Sequence, residues 1–166
     1  ARMMELPYPG GPEISKLAAI ARKENLERTF KLPRPMIHSK DLDFSFSGLK
    51  TACLYLIREI GTLTDTKKKE IAREFEDAVV EVLVTKTIAA AKKYGAKSII
   101  VGGGVSANKE LAKQLVKSGK ANNTEVVFPS KKLTTDNAIM IAIAGFFGKP
   151  VPISSKKLLA QGNMAL

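Results

Sequence analysis

The sequence predicts an α/β fold whose strands pair in parallel. Residues 98–101, Ser-Ile-Ile-Val, form a short β-branched run with the length of a buried strand. Gly102, Gly103 and Gly104 follow it, and then a helical pattern with Leu111, Leu115 and Val116 on one face. A second short strand at residues 126–128 again precedes a helical run, at 138–147. Strands that alternate with helices are joined by crossovers, and crossover connections make the strands parallel.

The remaining elements follow in order. Residues 7–12, PYPGGP, read as a loop, because neither helix nor strand tolerates that density of Pro and Gly. Ile14, Leu17, Ala18 and Ala21 then space as a helix. Residues 31–43 are irregular, with Pro33 and Pro35 breaking any pattern. Phe44 and Phe46 alternate with Ser45 and Ser47, a period of two that predicts a short strand. Gly48 turns it into a helix carrying Leu49, Ala52, Cys53, Leu56, Ile57 and Ile60, with Gly61 as its C-terminal stop. Residues 67–94 predict the longest helix, with Ile71, Phe75, Ala78, Val79, Val82 and Leu83 on a 3.6 period and Gly95 ending it. Ser106 is the predicted N-cap of the helix after the glycine turn, which runs to about Ser118. A polar loop at 119–124 leads to the second strand, closed by Pro129. Residues 134–137, Thr-Thr-Asp-Asn, cap the run 138–147, which is apolar throughout and predicts a buried core helix. The tail, with Pro150 and Pro152, has little pattern, and no internal repeat is present.

The 166 residues suit one domain or one lobe of a larger protein. A net charge of +11 favours polyanionic partners such as RNA and says nothing about fold. No stretch is long and apolar enough to span a bilayer, and no signal-peptide pattern opens the chain. A single cysteine, Cys53, excludes an internal disulfide and fits a reducing cytoplasm. The start at Ala1, without an initiator Met, suggests a piece of a longer protein or a processed chain.

Two junctions carry candidate chemistry. The strand, the glycines and the helix start at 98–108 make a common anion and nucleotide site, since unpaired N–H groups and the helix dipole face the ligand. The alternative is an ordinary α/β turn that binds nothing. Asp136 lies at a helix N-terminus after a strand, where it either complements the dipole or offers a carboxylate to a metal or hydroxyl group. Lys50 reads as a solvated lysine before a phosphate contact, and Glu74, Glu76, Asp77 and Glu81 read mainly as the solvated face of the long helix. Basic pairs and triplets at 67–69, 92–93, 131–132 and 156–157 are solubility features singly and attractive to RNA in sum. With no Trp and 6% aromatic residues, base stacking is not the expected mode of binding. Neither an HExxH helix nor a nucleophile-elbow sequence is present, which removes the usual peptidase signatures.

Six segments also occur in one familiar order: PYPGGP at 7–12, KLPRPM at 31–36, DFSFSGLKTA at 43–52, AREFEDAVVEVL at 72–83, GGVSAN at 103–108 and TDNAIMIA at 135–142. In that order they resemble the C-terminal half of the bacterial TsaD (YgjD/Gcp) family, the tRNA N(6)-adenosine threonylcarbamoyltransferases. The resemblance implies that residues 1–166 are a single C-terminal lobe of the two-lobed actin/Hsp70/sugar-kinase (ASKHA) fold. It implies transfer of threonylcarbamoyl from threonylcarbamoyl-AMP to the adenosine next to the anticodon, in tRNAs that read codons beginning with A. By position, Gly11 and Asn108 match substrate contacts, and Gly103 and Gly104 of the glycine turn stand beside them as substrate-binding candidates. Asp136 matches a ligand to one divalent metal, Fe(II) in the first instance with Zn or Mg as alternatives. Two further ligands, an HxxxH pair, belong to an N-terminal lobe that this sequence lacks, and His38 matches none of them. The expected partners are tRNA and the accessory proteins TsaB and TsaE, in the cytoplasm and without a membrane. The expectation is half a site, inactive alone. The rival readings are a non-catalytic truncated homologue serving in binding or assembly, and another ligand-binding protein of the same fold.

Overall fold

In a computed structural model, residues 1–148 are described, apart from the side chain of Lys131. The helices are α1 (Gly10–Lys23), α2 (Ser47–Ile60), α3 (Asp65–Lys93), α4 (Lys109–Ala121) and α5 (Ala138–Phe147). The strands are β1 (Ser98–Ile100) and β2 (Glu125–Val127). The chain divides into two compact units, Ala1–Thr134 and the residues from Thr135 onward.

In the first unit β1 and β2 pair in parallel, with Ser98 opposite Glu125 and Ile100 opposite Val127. Helix α4 is the crossover between them, so the α/β expectation is met. The expected strand at 44–47 does not form. Ser47 is already the first residue of α2, and the Phe44 and Phe46 rings meet at a 48° tilt with centroids 5.8 Å apart. Among the described residues no neighbouring strand offers that segment a ladder, and an alternating pattern without a ladder has nothing to pair with. The PYPGGP segment is likewise only partly a loop: Gly10, Gly11 and Pro12 form the first turn of α1. First-turn N–H groups lack helical partners in any case, so Pro12 forfeits nothing there.

Helix α3, 29 residues long, is the centre of the unit. Thr64 caps it, accepting from the Lys67 N–H at 3.3 Å, as the sequence pattern allows. Ile71 and Ala72 pack against Ile14 and Ala18 of α1 and against Met4. Ala78 packs against Leu32 and against Leu49 and Cys53 of α2. Val80 meets Leu111 and Leu115 of α4, with Val101 and Val126 of the sheet alongside. A helix buried on three sides cannot carry a solvated acidic face, and the expectation for Glu74 and Glu76 is overturned: both are buried.

The cause is the irregular stretch between α1 and α2. Its backbone groups need partners, because an unpaired buried N–H or C=O costs about as much as a lost hydrogen bond. Charged side chains of α3 supply them. Arg73 donates to Leu26 O at 2.6 Å and also to Glu27 O. Glu74 accepts from the Leu32 N–H at 2.9 Å and from Arg34, whose Nε donates to Glu81 at 2.8 Å. Lys86 Nζ donates to Ser39 Oγ at 2.6 Å and to Asp41 O at 2.8 Å. A hydrogen bond from Ser39, aided by the charge of Lys86, holds the Asp41 carboxyl below the usual carboxylate range. A depressed folded value means that the stabilisation is complete above the ordinary range and fades as pH falls through the lower one.

Cys53 is buried against Leu49 and Ala78, and desolvation pushes its thiol up. Since the thiolate is the reactive form, iodoacetamide at pH 8 is expected to leave native Cys53 unmodified and to label it fully in denaturant. Rapid labelling of the folded chain, read by mass, would contradict this packing.

In the second unit Asn137 caps α5, its Oδ1 accepting from the Met140 N–H at 3.0 Å. The expected buried core helix is not observed: Ile139, Ile141, Ile143, Phe146 and Phe147 are all exposed. Among its described residues this unit offers α5 no second layer on which to bury an apolar surface. Pro150 and Pro152 lie outside the described residues. Among the described residues, no helix is long and apolar enough to cross a membrane.

Candidate functional site

Strand β1 runs out at Ile100, and Gly103 then takes φ 79° and ψ 171°, a region of backbone space that only glycine enters without strain. Gly104–Ala107 coil into a single 3-10 turn before α4. That turn displaces the predicted cap. Ser106 is buried and donates to Gly103 O at 2.6 Å, while Asn108 caps α4 by accepting from the Leu111 N–H at 2.8 Å.

The turn opens onto a cavity of about 880 Å³ in the first unit. Gly11, Ser15, Lys16 and Arg22 of α1 line one side, Gly104, Asn108 and Glu110 the other, and Glu76 of α3 the floor. A Cβ added at Gly11 or Gly104 would meet nothing within 4 Å, so both glycines leave open space at the cavity wall. Neither the first turn of α1 nor the 3-10 turn has a side-chain cap. Their first N–H groups thus have no side-chain acceptor at the cap position, a feature of helix starts that bind anions.

The polar floor is one network. Glu76 Oε1 accepts from Ser15 Oγ at 2.6 Å and from Asn108 Nδ2 at 2.8 Å. Asn108 Nδ2 also donates to Ser15 Oγ at 3.0 Å. Glu76 Oε2 accepts from Arg22 at 2.6 Å, and the same guanidinium donates to Asp77 at 2.5 Å. Burial opposes the charge on Arg22, but the hydrogen bonds to Asp77 and Glu76 outweigh it and hold the group above its ordinary value. The cation is thus permanent, and Glu76 stays paired.

Of the sequence-predicted positions, Gly11, Gly104 and Asn108 line this one cavity, although Gly11 stands 97 residues before Asn108. Gly103 shapes the turn without lining the cavity. Asp136 belongs to the second unit, where its side chain is exposed. His38 and Lys50 are exposed as well. Ser15 and Arg22 were missed by sequence reasoning, and Glu76, within the AREFEDAVVEVL segment, was read as part of a mainly solvated helix face.

A metal needs three or four ligands brought together. Among the described residues no three His, Cys, Asp or Glu side chains converge, and residues 149–166 contain none of these types.

A family profile described as "TsaD: tRNA N6-adenosine threonylcarbamoyltransferase" matches residues 1–143. A tRNA N6-adenosine threonylcarbamoyltransferase of Ralstonia pickettii (strain 12J) is 46% identical over 150 residues, covering 87% of this chain and 42% of that protein. One of Thermosipho africanus (strain TCF52B) is 46% identical over 146 residues, covering 88% of this chain and 43% of that protein. One of Herminiimonas arsenicoxydans is 44% identical over 146 residues, with 87% and 42% covered. The chain spans about two fifths of the length of these relatives.

Proposed function

The chain belongs to the TsaD family, and on that premise we propose that its cavity takes the adenylate part of threonylcarbamoyl-AMP during threonylcarbamoyl transfer to N6 of the adenosine next to the anticodon. The convergence of Gly11, Gly104 and Asn108 on one cavity with two uncapped turns supports this reading above anything else. The part played by this chain is binding and orientation. Uncapped N–H groups meet the phosphate, and the open glycines let the nucleotide approach backbone. Asn108 hydrogen-bonds the nucleoside. Holding the adenylate in one pose turns attack by the adenosine amine into an effectively unimolecular step.

The finer assignments are part of the same proposal. Residues 1–166 form the C-terminal lobe of a two-lobed ASKHA protein, acting in the cytoplasm with tRNA, TsaB and TsaE. The net charge of +11 favours the tRNA contact. Asp136 supplies one carboxylate to a divalent ion, Fe(II) before Zn or Mg. Among the described residues no group of three His, Cys, Asp or Glu side chains completes such a site.

Calorimetry with AMP on the full chain and on Gly11→Ala tests the reading. Alanine at a first-turn position with open space is expected to raise stability by up to about 0.5–1 kcal/mol. The same methyl group narrows the cavity, so AMP affinity is expected to fall severalfold. Opposite signs for stability and binding mark a ligand site, whereas unchanged affinity would leave the glycine purely structural. Given threonylcarbamoyl-AMP and tRNA, the chain alone is expected to make no product, and turnover would overturn the half-site reading.

A further inference from the structure

Resting on the adenylate reading above, we infer that Glu76 is a positioning residue: its carboxylate fixes the orientation of the Asn108 amide and decides which hydrogen-bonding position that amide offers a nucleotide. Glu76 is 5% exposed and sits on α3, away from both the glycine turn and the PGGP segment in sequence. Its Oε1 accepts from Asn108 Nδ2 at 2.8 Å, and Ser15 Oγ lies 3.0 Å from the same nitrogen. Asn108 Oδ1 accepts the Leu111 N–H at 2.8 Å. A flipped amide would set N–H against N–H at Leu111 and oxygen against carboxylate at Glu76, so the two contacts enforce a single orientation.

The consequence is chemical. Asparagine has two N–H donors and an oxygen with two lone pairs. Glu76 Oε1 and Ser15 Oγ are themselves 2.6 Å apart, so both lie on one side of Nδ2 and share one of its two diverging N–H bonds, while Leu111 takes one lone pair of Oδ1. What remains on the amide is one N–H and one lone pair, and Ser15, which donates to Glu76 and accepts from Asn108, is left with an acceptor position. The polar floor therefore offers a ligand one amide donor and one amide acceptor in a fixed arrangement, and Glu76 decides which faces where. Arg22 completes the device by holding Glu76 Oε2 at 2.6 Å, which keeps Oε1 turned to Asn108.

Glu76→Gln tests this in the full chain with AMP as probe. A glutamine cannot present oxygen to Asn108 and Ser15 and also to Arg22, because one end of the amide is a donor. With the fold kept, checked by circular dichroism, AMP affinity is expected to drop about tenfold. The Asn108 side-chain amide resonances are expected to lose their hydrogen-bonded shift and exchange faster with water. The double variant Arg22→Gln, Glu76→Gln allows a neutral chain of amides to refill the position. It is expected to recover the Asn108 resonances and to bind AMP within about threefold of wild type, and it carries the test if the single variant does not fold.

Wild-type affinity in folded Glu76→Gln overturns the positioning role alone, provided that Asn108→Ala still binds weakly. Lost affinity with undisturbed Asn108 resonances, in either variant, overturns it too, since Glu76 would then act directly on the ligand. Silence of the wild-type chain toward AMP, or wild-type affinity in Asn108→Ala, overturns the adenylate reading and this assignment with it.

Discussion

Replacing Glu74 with Ala is expected to destabilise the chain by about 2–4 kcal/mol, the largest loss from any single charged position described above. The carboxylate is 7% exposed and satisfies two groups of the irregular segment, the Leu32 N–H at 2.9 Å and the Arg34 guanidinium. Truncation leaves the buried N–H with no acceptor and Arg34 with one partner fewer. The value falls below the top of the range for broken buried pairs because Arg34 keeps Glu81 and Leu32 O. Glu74→Gln keeps an acceptor for Leu32 and is expected to cost less than half as much. Urea unfolding of both variants separates the terms. Equal losses would mean that the charge and not the hydrogen bond holds the segment.

Gly103→Val is expected to cost about 1–3 kcal/mol and to reduce AMP binding beyond detection. The added side chain would find open space, with nothing within 4 Å of its Cβ, so crowding is not the cause. The cause is backbone conformation: φ 79° with ψ 171° is closed to a β-branched residue, and the turn must rearrange. Rearrangement moves Gly104 and the approach to Asn108, both of which line the cavity. Gly104→Ala is the matched control, because Gly104 has neither a positive φ nor a neighbour for the new methyl group. It is expected to leave stability within about 0.5 kcal/mol of wild type and to weaken binding only through lost space. A Gly103→Val chain with normal stability and normal AMP affinity would remove the glycine turn from the site.

Local features were legible from the residues because their causes are local. Three consecutive glycines after a β-branched run specify a turn wherever the chain goes. The long apolar period of α3 and the Gly95 stop place that helix within two residues of where the structure has it. The order of six motifs identified the family, and two positions carried over by that resemblance, Gly11 and Asn108, line one cavity. Errors arose where a local pattern had two physical meanings. Phe44 to Ser47 alternate like a strand, but a strand exists only with a neighbour, and that stretch instead leads directly into α2. Ser106 and Asn108 are both good caps; an intervening 3-10 turn chose between them.

The acidic face of α3 shows most clearly what the sequence determined and what it left to the tertiary structure. Sequence period separates the apolar side of a helix from its polar side, and here it did so correctly for Ile71, Ala78 and Val82. It cannot separate a polar side facing water from one facing backbone. Arg73, Glu74 and Lys86 each take a main-chain partner in the 24–46 segment, and main-chain groups carry no residue signature. The same holds for Glu76. Its meeting with Ser15, Arg22 and Asn108 spans α1, α3 and the start of α4. Only packing of α1 and α4 against α3 brings those side chains within hydrogen-bond distance, since buried charges are tolerated where such partners converge.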